Sequence, residues 1–458
     1  MDSGGFVTAR DRQDESECSK RQKCSQGEED RISNLPDFII GHILTFLRFK
    51  DAIRTSVLSQ RWIYMWTYIT KLCLNDGNIY LRNKTTFINF VCRMLLHLNA
   101  SNINEFHLLL EEKYDPYIIG QLISLVSNKK IKVISLLSHN ECSISCYPIF
   151  KCQSLEKLEL AMGHSIIQFP SFVCLSSLTA LYLVAIRSPM KITCYSSNQS
   201  KELTLKFPVL RDYISCDCIW LDVKRVTIDA PLLEKVIIER QWDYSSNVSH
   251  AEIEIRASYV TNYLYRSYVS SETTLLDAAH VAEASISLSD DSKVNMSGQE
   301  LKIFVRKLFN INNLKGLILQ NLAPMEHYLA DISAFGMLSN LCISYFVTIE
   351  NLLCLLLKSP CLETLVLKYP IYSAKRPPKF AIVPECFLST LKVVRFAKFT
   401  GGQQEFSFAK FVMEKSQVLE SISFSCYKLR GAKMKKVKKK IFSVKRSCNI
   451  EFSDYLDT

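Results

Sequence analysis

Two hydrophobic patterns divide the chain. In DRISNLPDFIIGHILTFLRFKDAIRTSVLSQRWIYMW, which runs from Asp30 to Trp66, Ile39, Ile40, Ile43, Leu44 and Leu47 recur at i, i+1, i+4, i+5 and i+8, a wide helical stripe. Ser33 or Asn34 is placed to cap this helix, and Pro36 to sit in its first turn, where a missing N–H costs nothing. Asp51 is placed to cap a second short helix running through Val57. Ser59 does the same for a third, which puts Trp62 and Trp66 on one face at i, i+4. Three short helices of about 40 residues cannot bury this much apolar surface among themselves. The unit therefore requires a partner.

From Ile69 onward the period changes to apolar-x-x-apolar-x-apolar. Clear copies are ITKLCL at Ile69, INEFHL at Ile103, IKVISL at Ile131, LEKLEL at Leu155, LTALYL at Leu178 and LEKVII at Leu233. They continue with LKGLIL at Leu314, LSNLCI at Leu338, LETLVL at Leu362, LKVVRF at Leu391 and LESISF at Leu419, with weaker copies at Leu210, Val248 and Val281. The steps from Leu155 to Leu178 (23 residues) and from Leu314 to Leu338 to Leu362 (24 each) fall within the period of leucine-rich repeats. Each hexamer predicts a short strand whose alternate apolar residues point into a shared core, and each intervening segment returns the chain along the outer face. The fold class predicted is α/β: a helical N-terminal unit followed by a leucine-rich solenoid with a curved parallel sheet. Strands centred on Leu158, Leu181, Leu317, Leu341 and Leu365 are expected in that local order.

The same alternation names a candidate binding face. The residue between the last two apolar positions of each copy points to the concave side. Read in order, that column is His107, Ser135, Glu159, Tyr182, Ile237, Ile318, Cys342, Val366, Arg395 and Ser423. It has no stack of Lys and Arg, as a nucleic-acid or polyphosphate groove would. A protein partner fits better, with Tyr182, Ile318 and Arg395 as candidate substrate contacts.

Composition removes several chemistries. Only 13 of 458 residues are Gly, and no G-x-G-x-x-G, G-x-x-x-x-G-K-[ST] or G-x-S-x-G occurs, so phosphate cradles and nucleophile elbows lack their motif. No His is followed by Glu, which excludes H-E-x-x-H. His139, Cys142, Cys146 and Cys152 lack the second ligand pair of a structural zinc site, so no metal and no cofactor is expected, and no catalytic residue is identified. The 17 Cys are scattered through apolar runs, as small core residues in a reducing compartment. No apolar run reaches the about 18 residues of a membrane span, and the N-terminus has no apolar core of a secretory signal. The net charge of +11 is concentrated: ten Lys and Arg and no acid lie between Lys428 and Arg446, leaving +1 for the rest. That run reads as a solvated tail or an import signal, which places the protein in the nucleus, the cytoplasm or both.

Leu35–Trp66 resembles the F-box, through Leu35-Pro36, Ile39, Ile43-Leu44, Leu47, Asp51, Val57-Leu58-Ser59 and Trp62; VLSQRWIYMW is close to the plant form. VPECFLSTLKVVRFAKFTGGQQEFSFAKFVMEKSQVLESISF looks like the FBD motif of plant F-box/leucine-rich-repeat proteins. Phe38-Ile39-Ile40 departs from the family, which commonly carries an acidic or polar residue near the first position. The resemblance implies that the F-box binds the Skp-type adaptor of a cullin–RING ubiquitin ligase, with Leu35, Pro36, Ile39, Ile43, Leu44, Leu47, Val57 and Trp62 as candidate adaptor contacts, some of which also hold the three helices together. Leu35, Pro36 and Trp62 are the principal candidates. It implies further that the repeats hold a protein substrate and that the chain itself catalyses nothing. A scaffold outside ubiquitination is the alternative. The organisation predicted is a disordered lead-in over 1–30, an F-box over 31–68, and a repeat array over 69–370 with 239–313 degenerate or inserted. An FBD-like region with terminal repeats over 371–427 and a basic tail over 428–458 complete it.

Overall fold

A computed structural model describes residues 32, 34–77, 84–98, 103–140, 142–145, 147–163, 165–185, 192–196, 202–220, 223–240, 251–268, 274–278, 281–289, 298–309, 311, 313–372, 382–429, 431–444 and 448–454. The lead-in over 1–30 lies outside them. Two compact units divide at Ile69/Thr70.

The N-terminal unit contains α1 (Asp37–Leu44), α2 (Phe49–Arg54), a single 3-10 turn (Thr55–Val57) and a longer 3-10 helix (Gln60–Tyr68). Its core is Ile40, Leu44, Phe49, Ala52, Trp62, Met65 and Ile69. The caps differ from expectation. Pro36 itself occupies the N-cap of α1, at φ −57° and ψ 147°, and no side chain caps it. Arg48 occupies the N-cap of α2, with Asp51 inside its first turn, and Ser59 precedes the 3-10 helix without a side-chain cap. Arg61 ties the start of α1 instead: its guanidinium donates to the Leu35 carbonyl and to Asp37 Oδ1 at 2.6 Å. Gly41 allows α1 to lie against the 3-10 helix, since a Cβ there would stand 2.4 Å from the Cβ of Tyr68.

The second unit is built on one parallel sheet whose fifteen strands follow chain order from edge to edge. These are β1 (Lys71–Asn75), β2 (Glu105–Leu110), β3 (Val133–Ser138), β4 (Lys157–Met162), β5 (Ala180–Ala185), β6 (Asp212–Cys216), β7 (Lys235–Glu239) and β8 (Val260–Tyr268). They continue as β9 (Val281–Ser289), β10 (Gly316–Asn321), β11 (Asn340–Ile343), β12 (Thr364–Leu367), β13 (Val393–Phe399), β14 (Ser421–Cys426) and β15 (Asn449–Asp454). Leu158 pairs in register with Leu181, and Leu317 with Leu341, which pairs with Leu365, as the repeat spacing predicts. The sheet runs without a break through 239–313, as β7 pairs with β8, β8 with β9 and β9 with β10.

The return segments are of two kinds. Early and late turns return as helices, among them α3 (Lys84–His97), α4 (Pro116–Ser127), α5 (Gly298–Leu308), α6 (Ile349–Leu357), α7 (Glu385–Ser389), α8 (Gln403–Lys415) and α9 (Gly431–Phe442). The middle turns return as strands. Cys142–Ser145, Ser165–Phe169, Ile192–Ser196 and Cys218–Trp220 form a four-stranded parallel sheet, and Phe172–Cys174, Glu202–Lys206, Arg225–Asp229, Glu252–Ala257 and Thr274–Ala278 a five-stranded one. Phe169 and Trp220, both buried, pack at 5.2 Å between ring centroids in this stretch. The weak copy at Val248 is misplaced. The main-sheet strand begins at Val260, and Glu252–Ala257 belongs to the five-stranded sheet.

The segment read as a basic tail is the last turn. Helix α9 buries Ile441, and β15 pairs with β14 throughout its length. Phe396, Phe424 and Phe452 stack across β13, β14 and β15 at 5.1 Å per step. Helix α8 begins on a tight loop in which Gly401 has φ +72°. The buried Glu405 accepts from the Thr400 hydroxyl at 2.6 Å and from the N–H groups of Thr400 and Gly402 at 3.1 and 3.0 Å.

Burial raises the proton affinity of the Glu405 carboxyl, and these hydrogen bonds only partly oppose it. Glu405→Ala leaves two N–H groups of the loop without their acceptor and should cost about 1–2 kcal/mol, read by urea unfolding. Glu405→Gln keeps an acceptor and should cost less. Because the folded state holds this proton more tightly than the unfolded chain, the stabilisation it gives is present at low pH and lost as pH rises through the raised value. The Gln variant should therefore gain on the wild type as pH rises above the ordinary carboxyl value of 4.5. A gain in the opposite direction would show that the hydrogen bonds outweigh burial.

Candidate functional site

In the N-terminal unit the chain is too short to enclose its own apolar residues. Among the described residues it supplies nine of the 25 large apolar side chains left exposed: Ile32, Phe38, Ile43, Phe46, Leu47, Val57, Leu58, Ile63 and Tyr64. Of the eight candidate contacts, Val57 is 87% exposed, Pro36, Ile43 and Leu47 are exposed, and Leu35 and Ile39 are half-buried. Leu44 and Trp62 are core. Trp62, named as a principal adaptor candidate, is only 8% exposed and belongs to the residues that hold the helices together. The neighbouring Trp66 packs edge-on against Phe49, at 6.2 Å between centroids, and donates its Nε1–H to the Ile63 carbonyl. Phe46 (78% exposed), Leu58 and Tyr64 were not among the candidates. Their signal was present as large apolar residues lying off the helical stripe.

In the second unit the strands stack in register, so the ten column residues of the sheet face form one continuous row. His107 pairs with Ser135, Ser135 with Glu159 and Glu159 with Tyr182; Ile318 pairs with Cys342, Cys342 with Val366, Val366 with Arg395 and Arg395 with Ser423. Five members were missed. Cys73 begins the row, Ile214 lies beside Tyr182 and Ile237, Leu264 and Ser285 link Ile237 to Ile318, and Glu451 ends it. The alternating residues on the other side of each strand are buried against the return segments. The row therefore lies on the face the returns leave open.

The row changes chemistry along its length. At the first strands it is polar and internally paired. Glu105 accepts from Lys71 at 3.0 Å and lies 3.1 Å from His107, and the bond from Lys71 chiefly holds its carboxyl below the usual range. Ser135 is buried and donates to Glu159 at 3.2 Å. Tyr182 is half-buried, with the Lys157 ammonium 4.7 Å above its ring and Asp212 beside its hydroxyl, and burial raises its pKa. From β6 to β12 the row is Ile214, Ile237, Leu264, Ser285, Ile318, Cys342 and Val366, of which Ile318 is 40% exposed. At the last strands it is polar again, with Arg395 exposed. Of the three candidate substrate contacts, Ile318 and Arg395 reach solvent, whereas Tyr182 is engaged by its neighbours.

The cysteines offer no activated nucleophile among those whose shift is resolved. Burial pushes Cys216 and Cys218 each up to about 12, well away from a reactive thiolate. Cys152 is buried beside the Ile131 carbonyl; Cys146 and the side chain of Cys142 lie outside the described residues.

Comparison with known proteins gives this arrangement its relatives. The F-box domain family matches residues 32–71, and the FBD family matches 381–424, the span of α7, β13, α8 and most of β14. An F-box/LRR-repeat protein of Arabidopsis thaliana is 26% identical over 417 residues, covering 86% of this chain and 89% of the relative. Two Arabidopsis F-box/FBD/LRR-repeat proteins are 26% and 29% identical over 424 and 445 residues, covering 89% and 90% of this chain and 91% and 92% of the relatives. With the short helical unit, the in-register solenoid and the FBD segment in this order, the chain carries an F-box and an FBD domain and is similar over most of its length to plant F-box/FBD/leucine-rich-repeat proteins.

Proposed function

We propose that this chain is the substrate-recognition subunit of an SCF-type, cullin–RING ubiquitin ligase. The N-terminal unit docks a Skp-type adaptor, and the open face of the solenoid holds a protein substrate. The observation that carries the reading is the F-box match over 32–71 on a unit that leaves nine large apolar side chains exposed. A surface of that kind is costly to leave in water and has the composition of an interface core. The chain then contributes no bond-breaking group. It raises the effective concentration of substrate lysine near a ubiquitin-conjugating enzyme charged with ubiquitin.

The exposed residues give the discriminating variant. Val57→Asp with Leu58→Asp places two carboxylates on the proposed contact without touching the core of the unit, and should abolish adaptor pull-down while circular dichroism stays unchanged. Truncating an interface anchor costs about 2–4 kcal/mol, roughly 30- to 1,000-fold in affinity. Trp62→Ala should also lose the adaptor, but by unfolding the unit, at about 3–5 kcal/mol. Full adaptor binding by the Val57/Leu58 variant would leave the non-ubiquitinating scaffold as the reading.

On the sheet face, Ile318→Asp should weaken substrate capture by about tenfold or more and leave adaptor binding intact, because the added carboxylate would be desolvated in the contact. Proximity labelling under proteasome inhibition reads capture. Unchanged labelling by Ile318→Asp, Tyr182→Asp and Arg395→Glu would move the substrate site off this row.

We place the protein in the nucleus, the cytoplasm or both, with α9 as the import determinant. Lys435, Lys436, Lys439 and Lys440 are exposed, Lys438 is half-buried against the Phe452 ring, and Lys440 lies over Phe406 at 3.9 Å. Replacing all five by Gln should reduce nuclear accumulation of a fluorescent fusion without loss of adaptor binding. A sharp fall in thermal stability with unchanged distribution would assign the run to folding alone.

A further inference from the structure

We propose that the open face carries, between β8 and β12, a recess that takes an arginine side chain from an extended protein segment. The proposal rests on the sheet face being the substrate surface and specifies what that surface selects.

The recess follows from one missing side chain. Two residues before the column, Asn262, Glu283, Gly316, Asn340 and Thr364 stand side by side in register. Gly316 interrupts this row: a Cβ there would stand 3.4 Å from Glu283 Cγ. The space it leaves is part of a hollow of about 360 Å³ whose apolar side chains on the open face are Ile318, Cys342 and Val366 and which is rimmed by the polar row.

The rim is a set of acceptors lacking a cation. Glu283 is exposed, and its carboxylate makes no hydrogen bond or ion pair among the described residues. Several other carboxylates on strands of the main and five-stranded sheets are paired with cations, among them Glu105 with Lys71, Glu159 with Lys157, Glu239 with Arg266 and Glu252 with Arg225. Arg266, four residues beyond Asn262 on β8, is occupied by Glu239 at 3.2 Å and by Gln320 at 2.9 Å. The nearest cation in the Glu283 row, Lys235, is two strands away, about 9.5 Å at the backbone. Asn340 gives its amide N–H to Ser339 Oγ, which leaves its carbonyl oxygen as a further acceptor, and the Thr364 hydroxyl adds another.

An apolar wall beside an unpaired carboxylate and neutral acceptors fits a long aliphatic stem with a cationic head. Several acceptors spread along one row suit a guanidinium, which offers five donors in a planar fork and is weakly hydrated, better than an ammonium. An acidic side chain would meet Glu283 and be rejected.

The test uses full-length protein and fluorescein-labelled nonapeptide pools, randomised except for a central Arg, Lys, citrulline, norleucine or Glu, read by anisotropy. The Arg pool should bind about 10- to 100-fold more tightly than the citrulline pool, with Lys between. Glu283→Gln should bring the Arg pool to the citrulline level, Gly316→Val should do the same by filling the recess, and Glu283→Arg should turn preference toward the Glu pool. Circular dichroism checks that each variant folds. Equal binding of Arg and citrulline pools by the wild type, or an Arg preference surviving Glu283→Gln, overturns the proposal. If Tyr182→Asp then lowers every pool while Glu283→Gln changes none, the recess is wrong and the sheet-face reading stands. If neither variant changes any pool, both fall.

Discussion

Everything on the open face depends on one repeated backbone contact. At most turns of the solenoid, a single carbonyl just before the strand accepts two successive N–H groups from the next turn. Glu156 O takes Thr179 and Ala180 at 2.7 and 3.1 Å, Ser339 O takes Glu363 and Thr364 at 2.9 Å each, and Lys392 O takes Glu420 and Ser421 at 2.8 and 3.1 Å. A parallel pair could slip by two residues and still keep its apolar side inward. The forked contact fixes the start of each strand against its predecessor, so register is set turn by turn. Only then do residues separated by more than 370 positions, from Cys73 to Glu451, share one row.

Register in turn lets the face carry different chemistry along its length. Because each turn touches chiefly its neighbours, a substitution in one strand changes one cell of the face and leaves distant cells alone. The first strands use this to neutralise their charges internally, through Lys71, Glu105 and His107 and through Lys157, Glu159 and Tyr182. The strands from β6 to β12 leave the row apolar apart from Ser285. Whether a return is helix or strand does not alter this, since both kinds bury the same alternate positions, as Leu158 and Leu160 do before a strand return and Leu365 and Leu367 before a helical one.

What could be read from sequence was what local alternation determines. The hexamer places a residue on the buried or open side within a few positions, so Leu158 and Leu181 fell on adjacent strands, Leu317, Leu341 and Leu365 on three further adjacent strands, and ten members of the row were named. The template failed where its residue types were too narrow: β8 uses Tyr263 and Tyr265 as its buried residues, both near 2% exposed or below, and the aliphatic pattern passed over them to Val248. Short strand returns such as Phe172–Cys174 have too few residues to show any period. The burial of Trp62 depends on how three helices close on Ile40 and Met65, which no periodicity within one helix sets. Glu283 was invisible because its meaning comes from the absence of a side chain at Gly316 on the next strand.

The basic run of the last turn has a structural origin that charge counting could not supply. An outermost turn of a solenoid presents its outer side to water, and an edge strand of a parallel sheet must avoid recruiting another. Helix α9 meets the first need with buried Ile441 on one side and lysines on the other; β15 meets the second with Asn449, Glu451 and Ser453 exposed along it. Lys438 over Phe452 joins the two, covering the last ring of the phenylalanine stack with an alkyl stem and a charge. The excess of cations thus lies on the water-facing side of a helix at the edge of the described sheet.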